Sequence, residues 1–158
     1  INYKNASSAS KIKGGGVLLD LSHEIDYLTW IFGDLKIDYV TNKKISNLNI
    51  NTDDYLSLVG KINKRINVQL NMNYFTKFPK RQIIIDGKKI CIVADLIKNK
   101  LKAYKGRKYL IMSKKINKDY TYVQQHKELI NKEVRNCCTY AEGKKIMSIL
   151  DKIRNLRK

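Results

Sequence analysis

The middle of the chain alternates apolar and polar residues almost without interruption, and this pattern constrains the fold more than any other. Residues 66–74 read Ile-Asn-Val-Gln-Leu-Asn-Met-Asn-Tyr, and residues 54–62 carry a similar alternation just before them. A period of two is typical of a strand with one buried face and one solvated face. Because only Asn63, Lys64 and Arg65 separate the two runs, we predict an antiparallel hairpin.

Shorter strand patterns follow the hairpin. Residues 81–86 and 89–94 flank an Asp86-Gly87 turn signal, and residues 100–104 and 109–112 continue the series. Consecutive short strands joined by tight turns predict antiparallel pairing.

Helical spacing appears towards both ends of the chain. Apolar residues recur every three or four positions between residues 17 and 33, and Gly33 is placed to end that helix. Residues 122–136 and 140–156 return to the same spacing. One helix, then several strands, then further helices is the order of an α+β fold rather than of alternating βαβ units.

The length and composition fit one folded domain over residues 1–158, because 43% of the residues are hydrophobic. No apolar run approaches the roughly 18 residues of a membrane helix, and the start shows no basic segment followed by an apolar signal core. We therefore expect a soluble, cytoplasmic protein with no membrane partner. The three cysteines, Cys91, Cys137 and Cys138, are expected to be reduced thiols.

The net charge of +18 favours an anionic partner. The lysines and arginines are scattered over every segment, however, and no single arm or helix stripe collects them. Nucleic-acid binding is therefore the minor interpretation of this charge.

The triplet Gly14-Gly15-Gly16 precedes the first helix but does not match the dinucleotide-binding fingerprint. That fingerprint needs a third, spaced glycine and a buried strand ahead of it, and the triplet has neither. The chain is therefore not a nucleotide-binding domain, and we expect it to bind no nicotinamide cofactor alone.

Reactive side chains are concentrated just after this triplet. On a helix, Asp20 and His23 are three positions apart and can share one face. A carboxylate beside an imidazole holds its tautomer and suits proton exchange with a hydroxyl or a carbonyl. Taken alone, such a pair is more often a solvated surface feature than a catalytic site.

The residues around this pair carry a family resemblance. The string from Gly14 to Gly33, Gly-Gly-Gly-Val-Leu-Leu-Asp-Leu-Ser-His-Glu-Ile-Asp-Tyr-Leu-Thr-Trp-Ile-Phe-Gly, closely resembles the start of the second domain in the Gfo/Idh/MocA oxidoreductases. Residues 3–11, 53–55 and 140–147 are also similar to segments of that family. The resemblance covers nearly the entire chain.

The resemblance implies a large, open-faced, mostly antiparallel sheet, with an N-terminal helix and C-terminal helices packed on one face. Members of the family commonly pair through the exposed sheet face, so a homo-dimer or tetramer is expected. It also implies a parent protein that binds NAD or NADP through an N-terminal Rossmann domain, which is absent from this sequence. The substrate would be a sugar or a sugar nucleotide.

The resemblance also assigns site residues. His23 matches the family's histidine, which exchanges a proton with a sugar hydroxyl while hydride passes to or from the nicotinamide. Asp20 is the acid that would act beside it. Tyr3 and Lys4 are expected substrate contacts, because the polar lead-in would reach the cleft.

The function predicted for the chain is thus the substrate-binding and oligomerisation domain of an NAD(P)-dependent oxidoreductase, inactive without its Rossmann domain. One alternative is a non-enzymatic dimerisation module or truncated gene product. A less favoured alternative is a basic protein that binds anions or nucleic acid.

Overall fold

The computed structural model describes residues 6–117, 119–133 and 136–156. The chain separates into two compact units. Unit 1 comprises Ile1–Phe75 and Cys138–Lys158, and unit 2 comprises Thr76–Cys137. Within the described part of the chain, no helix combines the length and the hydropathy needed to cross a membrane.

The helices and strands follow the predicted order. A 3-10 turn at Ser7–Ala9 comes first, and the elements after it are α1 (Val17–Asp20), α2 (His23–Phe32), β1 (Leu35–Lys43), β2 (Tyr55–Ile62), β3 (Ile66–Asn73), β4 (Gln82–Gly87), β5 (Ile90–Asp95), β6 (Lys100–Lys105), β7 (Lys108–Ser113), α3 (Tyr120–Ile130) and α4 (Tyr140–Asn155).

The predicted hairpin is confirmed. Strands β2 and β3 pair antiparallel, from Tyr55 opposite Asn73 to Ile62 opposite Ile66. Asn63 turns the chain with a positive φ of 50°, a conformation that asparagine tolerates better than most residues.

Alternation along β2 creates the core of unit 1. Leu56, Leu58 and Ile62 are fully buried, and each such side chain contributes about 1.5–3 kcal/mol relative to an exposed one. Helices α1, α2 and α4 cover the same face with apolar side chains, namely Val17, Leu18, Ile25, Ile146, Ile149, Leu150 and Ile153. Packing of the N-terminal and C-terminal helices on one sheet face is therefore confirmed for this unit.

The α+β class and the antiparallel pairing are confirmed, but the strands form two sheets rather than one large sheet. The first sheet has the order β1-β2-β3, and the second has the order β4-β5-β6-β7. Between β3 and β4 the chain passes through Pro79, which has no amide hydrogen to donate to a strand ladder.

The helix predicted over residues 17–33 is interrupted after its first turn. Leu21 has φ −104° and ψ 23°, which ends α1, and α2 begins at His23. The predicted apolar spacing continues across this break, and Val17 and Ile25 are both fully buried. The helical spacing of Trp30 favours a core position, but this residue is 65% exposed.

Unit 2 is a four-stranded meander followed by α3. None of its described residues is buried. Helix α3 is shorter than the predicted helix over 122–136, and Val134 and Arg135 lie outside the described residues. His126 is exposed.

Candidate functional site

The junction of α1 and α2 carries the two catalytic candidates. Asp20 is the last residue of α1 and His23 is the first residue of α2. The opposite side of the junction is anchored in the core through Leu18 and Ile25. Asp20 and His23 are therefore held at the surface, where 50% of the His23 side chain is exposed.

The glycine triplet fixes where α1 starts. A Cβ atom on Gly15 would lie 2.3 Å from the Ser7 carbonyl oxygen, and one on Gly16 would lie 2.6 Å from the Asp53 carboxylate. Gly16 also has a φ of +114°, which disfavours any other residue. Close backbone approach is thus the structural reason for these glycines.

The amides of the triplet are already used within the chain. Gly14, Gly15 and Gly16 donate to the carbonyl oxygens of Lys11, Ser10 and Ser8, at 3.1, 2.9 and 3.1 Å. Amides that already donate to backbone carbonyls are not free to bind a phosphate.

Asp53 holds the beginning of α1. Its backbone carbonyl accepts from the Val17 amide at 3.0 Å, and its carboxylate accepts from the Leu18 amide at 3.1 Å. These two bonds pair amides that a helix start leaves without partners. They tie the helix to the segment that enters β2.

Asp54, the residue that immediately precedes β2, has a buried carboxylate. It accepts hydrogen bonds from the backbone amides of Ile45 and Ser46, at 2.8 and 3.1 Å, and from the Ser46 hydroxyl. Burial alone would raise the pKa of Asp54, but these hydrogen bonds and the charge of Lys44 hold the pKa below its ordinary value. The ionised carboxylate therefore stabilises the loop after β1.

Asp20 does not hydrogen-bond to His23, contrary to the pairing that helical spacing suggested. The Asp20 carboxylate instead accepts a hydrogen bond from the Tyr74 hydroxyl at 3.0 Å. The interruption at Leu21 separates the two candidates onto different helices. Tyr74 in turn donates its backbone amide to the Asp54 carbonyl at 3.0 Å, so Asp20 is linked to the edge of the core sheet.

The partner of His23 is the adjacent Glu24. The His23 Nε2 atom lies 3.2 Å from Glu24 Oε1, and the other carboxylate oxygen accepts from the Tyr27 hydroxyl. Glu24 is only 9% exposed. Helical spacing singles out residues three or four apart, so it points to Asp20 and passes over Glu24.

Two further predictions fall outside the described part of the chain. Tyr3 and Lys4, the expected substrate contacts, belong to residues 1–5, which the structure does not describe.

Across the described ranges, no group of three or more His, Cys, Asp and Glu side chains is arranged to hold a metal ion.

Comparison with protein families gives a clear assignment. The sequence model of the Gfo/Idh/MocA group, described as "Oxidoreductase family, C-terminal alpha/beta domain", matches residues 4–154. The chain belongs to this family. The matched range includes residues of both units, and no protein in the curated set matches the chain.

Solved structures share the fold of this Gfo/Idh/MocA C-terminal domain. The UDP-N-acetylglucosamine 3-dehydrogenase of Acidithiobacillus ferrooxidans superposes with a TM-score of 0.72 at 15% identity, covering 89% of this chain and 46% of that chain. A 3-ketoreductase of Actinomadura kijaniata, in complex with NADP and TDP-benzene, gives a TM-score of 0.73 at 10% identity, covering 92% and 47%.

A third solved structure is an oxidoreductase of Agrobacterium radiobacter in complex with NAD+, L-tartaric acid and magnesium. It gives a TM-score of 0.61 at 19% identity and covers 83% of this chain and 44% of that chain. The Gfo/Idh/MocA C-terminal domain described here therefore spans about half the length of the structures it matches.

Proposed function

We propose that the chain is the substrate-binding and oligomerisation part of an NAD(P)-dependent oxidoreductase that acts on a sugar or a sugar nucleotide. The observation that carries this proposal is the position of His23, half exposed at the surface of the family's C-terminal domain, with its Nε2 atom 3.2 Å from the Glu24 carboxylate. Such a histidine can exchange a proton with a substrate hydroxyl.

The substrate class is supported by the matched structures. One of them is a dehydrogenase of a sugar nucleotide, and another is a 3-ketoreductase complexed with NADP and a TDP compound. Oxidation of a sugar hydroxyl releases one proton and one hydride. We infer that NAD or NADP, held by a preceding Rossmann domain, takes the hydride in the intact parent protein.

The residues of this chain supply the rest of the reaction. His23 takes the proton from the hydroxyl during oxidation and returns it during reduction. Asp20 lies at the same surface and orients the substrate as a hydrogen-bond acceptor, while Tyr74 holds its carboxylate in place. Tyr3 and Lys4 are proposed to contact the substrate from the segment that precedes the glycine triplet.

We also propose a cytoplasmic location, because the three cysteines are unpaired and disulfides are rare in cytoplasmic proteins.

The test begins with the parent protein. The genomic region immediately upstream should encode a strand followed by Gly-x-Gly-x-x-Gly, and later a segment like Glu-Lys-Pro. Protein that includes this region should change the fluorescence of NADH on binding, and the present chain alone should not. An upstream region that lacks both motifs would contradict the enzyme proposal and favour a non-enzymatic dimerisation module.

We also propose that the chain forms a homo-dimer or tetramer through one sheet face of unit 2. Strand register places a set of apolar residues on a single face, here called the aliphatic face: Ile83, Ile85, Ile90, Ile92, Ala94, Leu101, Ala103, Leu110 and Met112. The opposite face includes Gln82, Asp86, Lys100 and Lys102, and is therefore more polar.

The aliphatic face favours a second copy of this chain as its partner. Leu110 and Met112 are 56% and 58% exposed on it, and burying such side chains is favourable. The same face on two copies is self-complementary under two-fold symmetry. An apolar contact also brings two chains of net charge +18 together without pairing lysines at its centre.

A further inference from the structure

A small cavity in unit 1 is bordered by basic side chains from three distant parts of the chain. Lys11, Lys44 and Arg154 all line it, and its volume is about 160 Å³. We call it the basic cavity. Lys11 precedes the glycine triplet, Lys44 directly follows β1, and Arg154 lies in the last turn of α4. Like charges that converge in this way repel one another, and a bound anion relieves the repulsion.

One carboxylate, that of Asp53, also lines the basic cavity, but it is already paired. Its Oδ2 atom accepts from the Leu18 amide at 3.1 Å. In the orientation of the Asn42 amide that satisfies both of its ends, the Asn42 nitrogen also donates to Asp53 Oδ2, at 3.0 Å. Of the charged side chains that line the cavity, three are cations and one is this acid. The cavity therefore favours an anion.

Lys44 is held in place by the loop that follows β1. Its Nζ atom donates to the Ser46 carbonyl oxygen at 2.7 Å, which uses one of the three hydrogens of the ammonium group. The nearby Asp54 carboxylate also attracts Lys44, but it is fully buried and accepts hydrogen bonds from the Ile45 and Ser46 amides. Lys44 is thus positioned at the cavity and keeps donors for a ligand.

Arg154 and Asn51 add further donors. The Arg154 guanidinium lies 3.7 Å from the Asp151 carboxylate, which is too long for a hydrogen bond, and an exposed ion pair of this kind contributes little. Asn51 also lines the cavity, and its side-chain oxygen accepts from the Lys11 backbone amide at 2.8 Å. This orientation leaves the NH₂ group of Asn51 as the end that can donate to a ligand.

The walls of the basic cavity are joined to each other without a ligand. The Asn51 amide donates to the Ala9 carbonyl oxygen at 3.3 Å, and the Thr52 hydroxyl donates to the Ser8 carbonyl oxygen at 3.0 Å. These bonds connect the segment before the glycine triplet to the loop between β1 and β2. A site that is organised in advance loses little conformational entropy when a ligand binds.

We propose that the basic cavity binds a small oxyanion of the phosphate class, either inorganic phosphate or the phosphoryl group of a small phosphomonoester. Its volume of about 160 Å³ is below the roughly 300–1,000 Å³ of sites for larger organic ligands. Three surrounding cations match a phosphoryl group, which carries a charge of about −1.5 to −2 at neutral pH. Neither His23 nor Asp20 lines the cavity, so this site does not depend on the proposed oxidoreductase function.

The experiment is isothermal titration calorimetry of the 158-residue chain with inorganic phosphate, at neutral pH and about 0.15 M sodium chloride, where exposed charges are screened. We expect one phosphate per chain. Lys11→Gln and Arg154→Gln should each weaken binding by about tenfold or more, because each removes a charged hydrogen bond. Lys61→Gln and Arg65→Gln are the matched controls, since they remove the same charge at the turn end of the β2–β3 hairpin, and their Kd should equal that of the wild type.

Two other anions define the ligand. Methyl phosphate separates the two sources: binding of both phosphates indicates a phosphoryl group on an organic ligand, and binding of inorganic phosphate alone indicates the free ion. Acetate carries a single charge and should bind more weakly than either. In ¹⁵N–¹H NMR spectra, the side-chain NH₂ signals of Asn51 should shift as phosphate is added.

A wild type that shows no saturable phosphate binding would overturn the inference, and that measurement needs no variant. An equal loss of affinity in the control variants and the cavity variants would overturn it as well, because it would indicate attraction to the net charge of +18 rather than to a site. Acetate that binds as tightly as phosphate would contradict the phosphate class. If Arg154→Gln lowers stability but leaves the Kd unchanged, Arg154 only balances the dipole at the end of α4, and its role in the site is wrong.

Discussion

The Tyr74 hydroxyl donates a hydrogen bond to the Asp20 carboxylate at 3.0 Å, across 54 positions of sequence. The bond connects the residue that follows β3 to the last residue of α1. The Tyr74 backbone amide also donates to the Asp54 carbonyl. The core sheet therefore fixes the position of the Asp20 carboxylate, which is otherwise exposed. Asp20 is thus oriented from the sheet rather than from its own helix.

Replacing Tyr74 by Phe should leave the fold intact and free the Asp20 carboxylate. The lost hydrogen bond is exposed, so the free energy of unfolding should fall by only about 0.5–1.5 kcal/mol. In the parent enzyme, the KM for the sugar should rise more than kcat falls. Steady-state kinetics and urea denaturation measure both effects. Tyr39→Phe is the matched control, since that hydroxyl only accepts from Thr41; equal effects on KM would contradict a role for Tyr74.

Self-association should depend on the aliphatic face. Leu110→Asp places a charge on that face and should convert the wild-type dimer or tetramer to monomer in sedimentation experiments. Ile111→Asp is the matched control, because Ile111 is similarly exposed, at 48%, on the opposite face of β7. A monomeric wild type, or dissociation by the Ile111 variant alone, would count against the proposed interface.

Gly14 and Gly16 should differ in how well they tolerate alanine. Both have positive φ values, 74° and 114°, but only a Cβ at Gly16 would collide with Asp53. The ψ of Gly16, 151°, also places it in a region that essentially only glycine occupies. Alanine should cost about 1–2 kcal/mol at Gly14 through its backbone conformation and clearly more at Gly16, where backbone strain and crowding add. Chemical denaturation of the two variants measures the difference, and equal losses of stability would contradict this expectation.

The free energy of unfolding at acidic pH should depend on the ionisation of Asp54. Its pKa is lower in the folded chain than in the unfolded chain, where a value of about 3.9 applies. The stability from its ionised form is therefore present above the unfolded pKa and is lost as the pH falls through the folded pKa. Asp54→Asn should be less stable than the wild type at neutral pH, and the gap should narrow below about pH 4.

The control for this titration is Asp38→Asn, because Asp38 is an exposed residue of β1. Its stability difference from the wild type should change little between neutral and acidic pH. A gap for Asp54→Asn that stays constant over the same range would show that its ionisation is not linked to folding.

Strand and helix periods predict most of the fold, because each element of unit 1 buries one face on a shared core. The hairpin of β2 and β3 and helix α4 follow directly from the spacing of their apolar residues. The exposure of Trp30 and the break at Leu21 were not predicted, because the apolar spacing continues across the break from Val17 to Ile25, which are both fully buried. The division into two sheets was not predicted either, because the spacing of apolar residues within a strand does not indicate which strands share a sheet.

The candidate site was predictable only in part. The residues around His23 identify the family, but the contacts of His23 and Asp20 are known only from the structure. His23 contacts Glu24, its neighbour in sequence, and Asp20 accepts a hydrogen bond from Tyr74, which follows β3. Spacing rules find pairs within one regular helix. They cannot find a contact that depends on how a strand end meets a helix end.

The most direct test of the account is the turnover of the parent enzyme with His23 replaced by Ala, beside His126→Ala as the matched control. His126 is exposed and belongs to unit 2, so its loss should leave turnover unchanged. Removing the proton-exchanging group should lower kcat by about 10²–10⁴-fold with NAD(P)H affinity unaltered. Turnover equal to that of the His126 variant would contradict the assignment of His23.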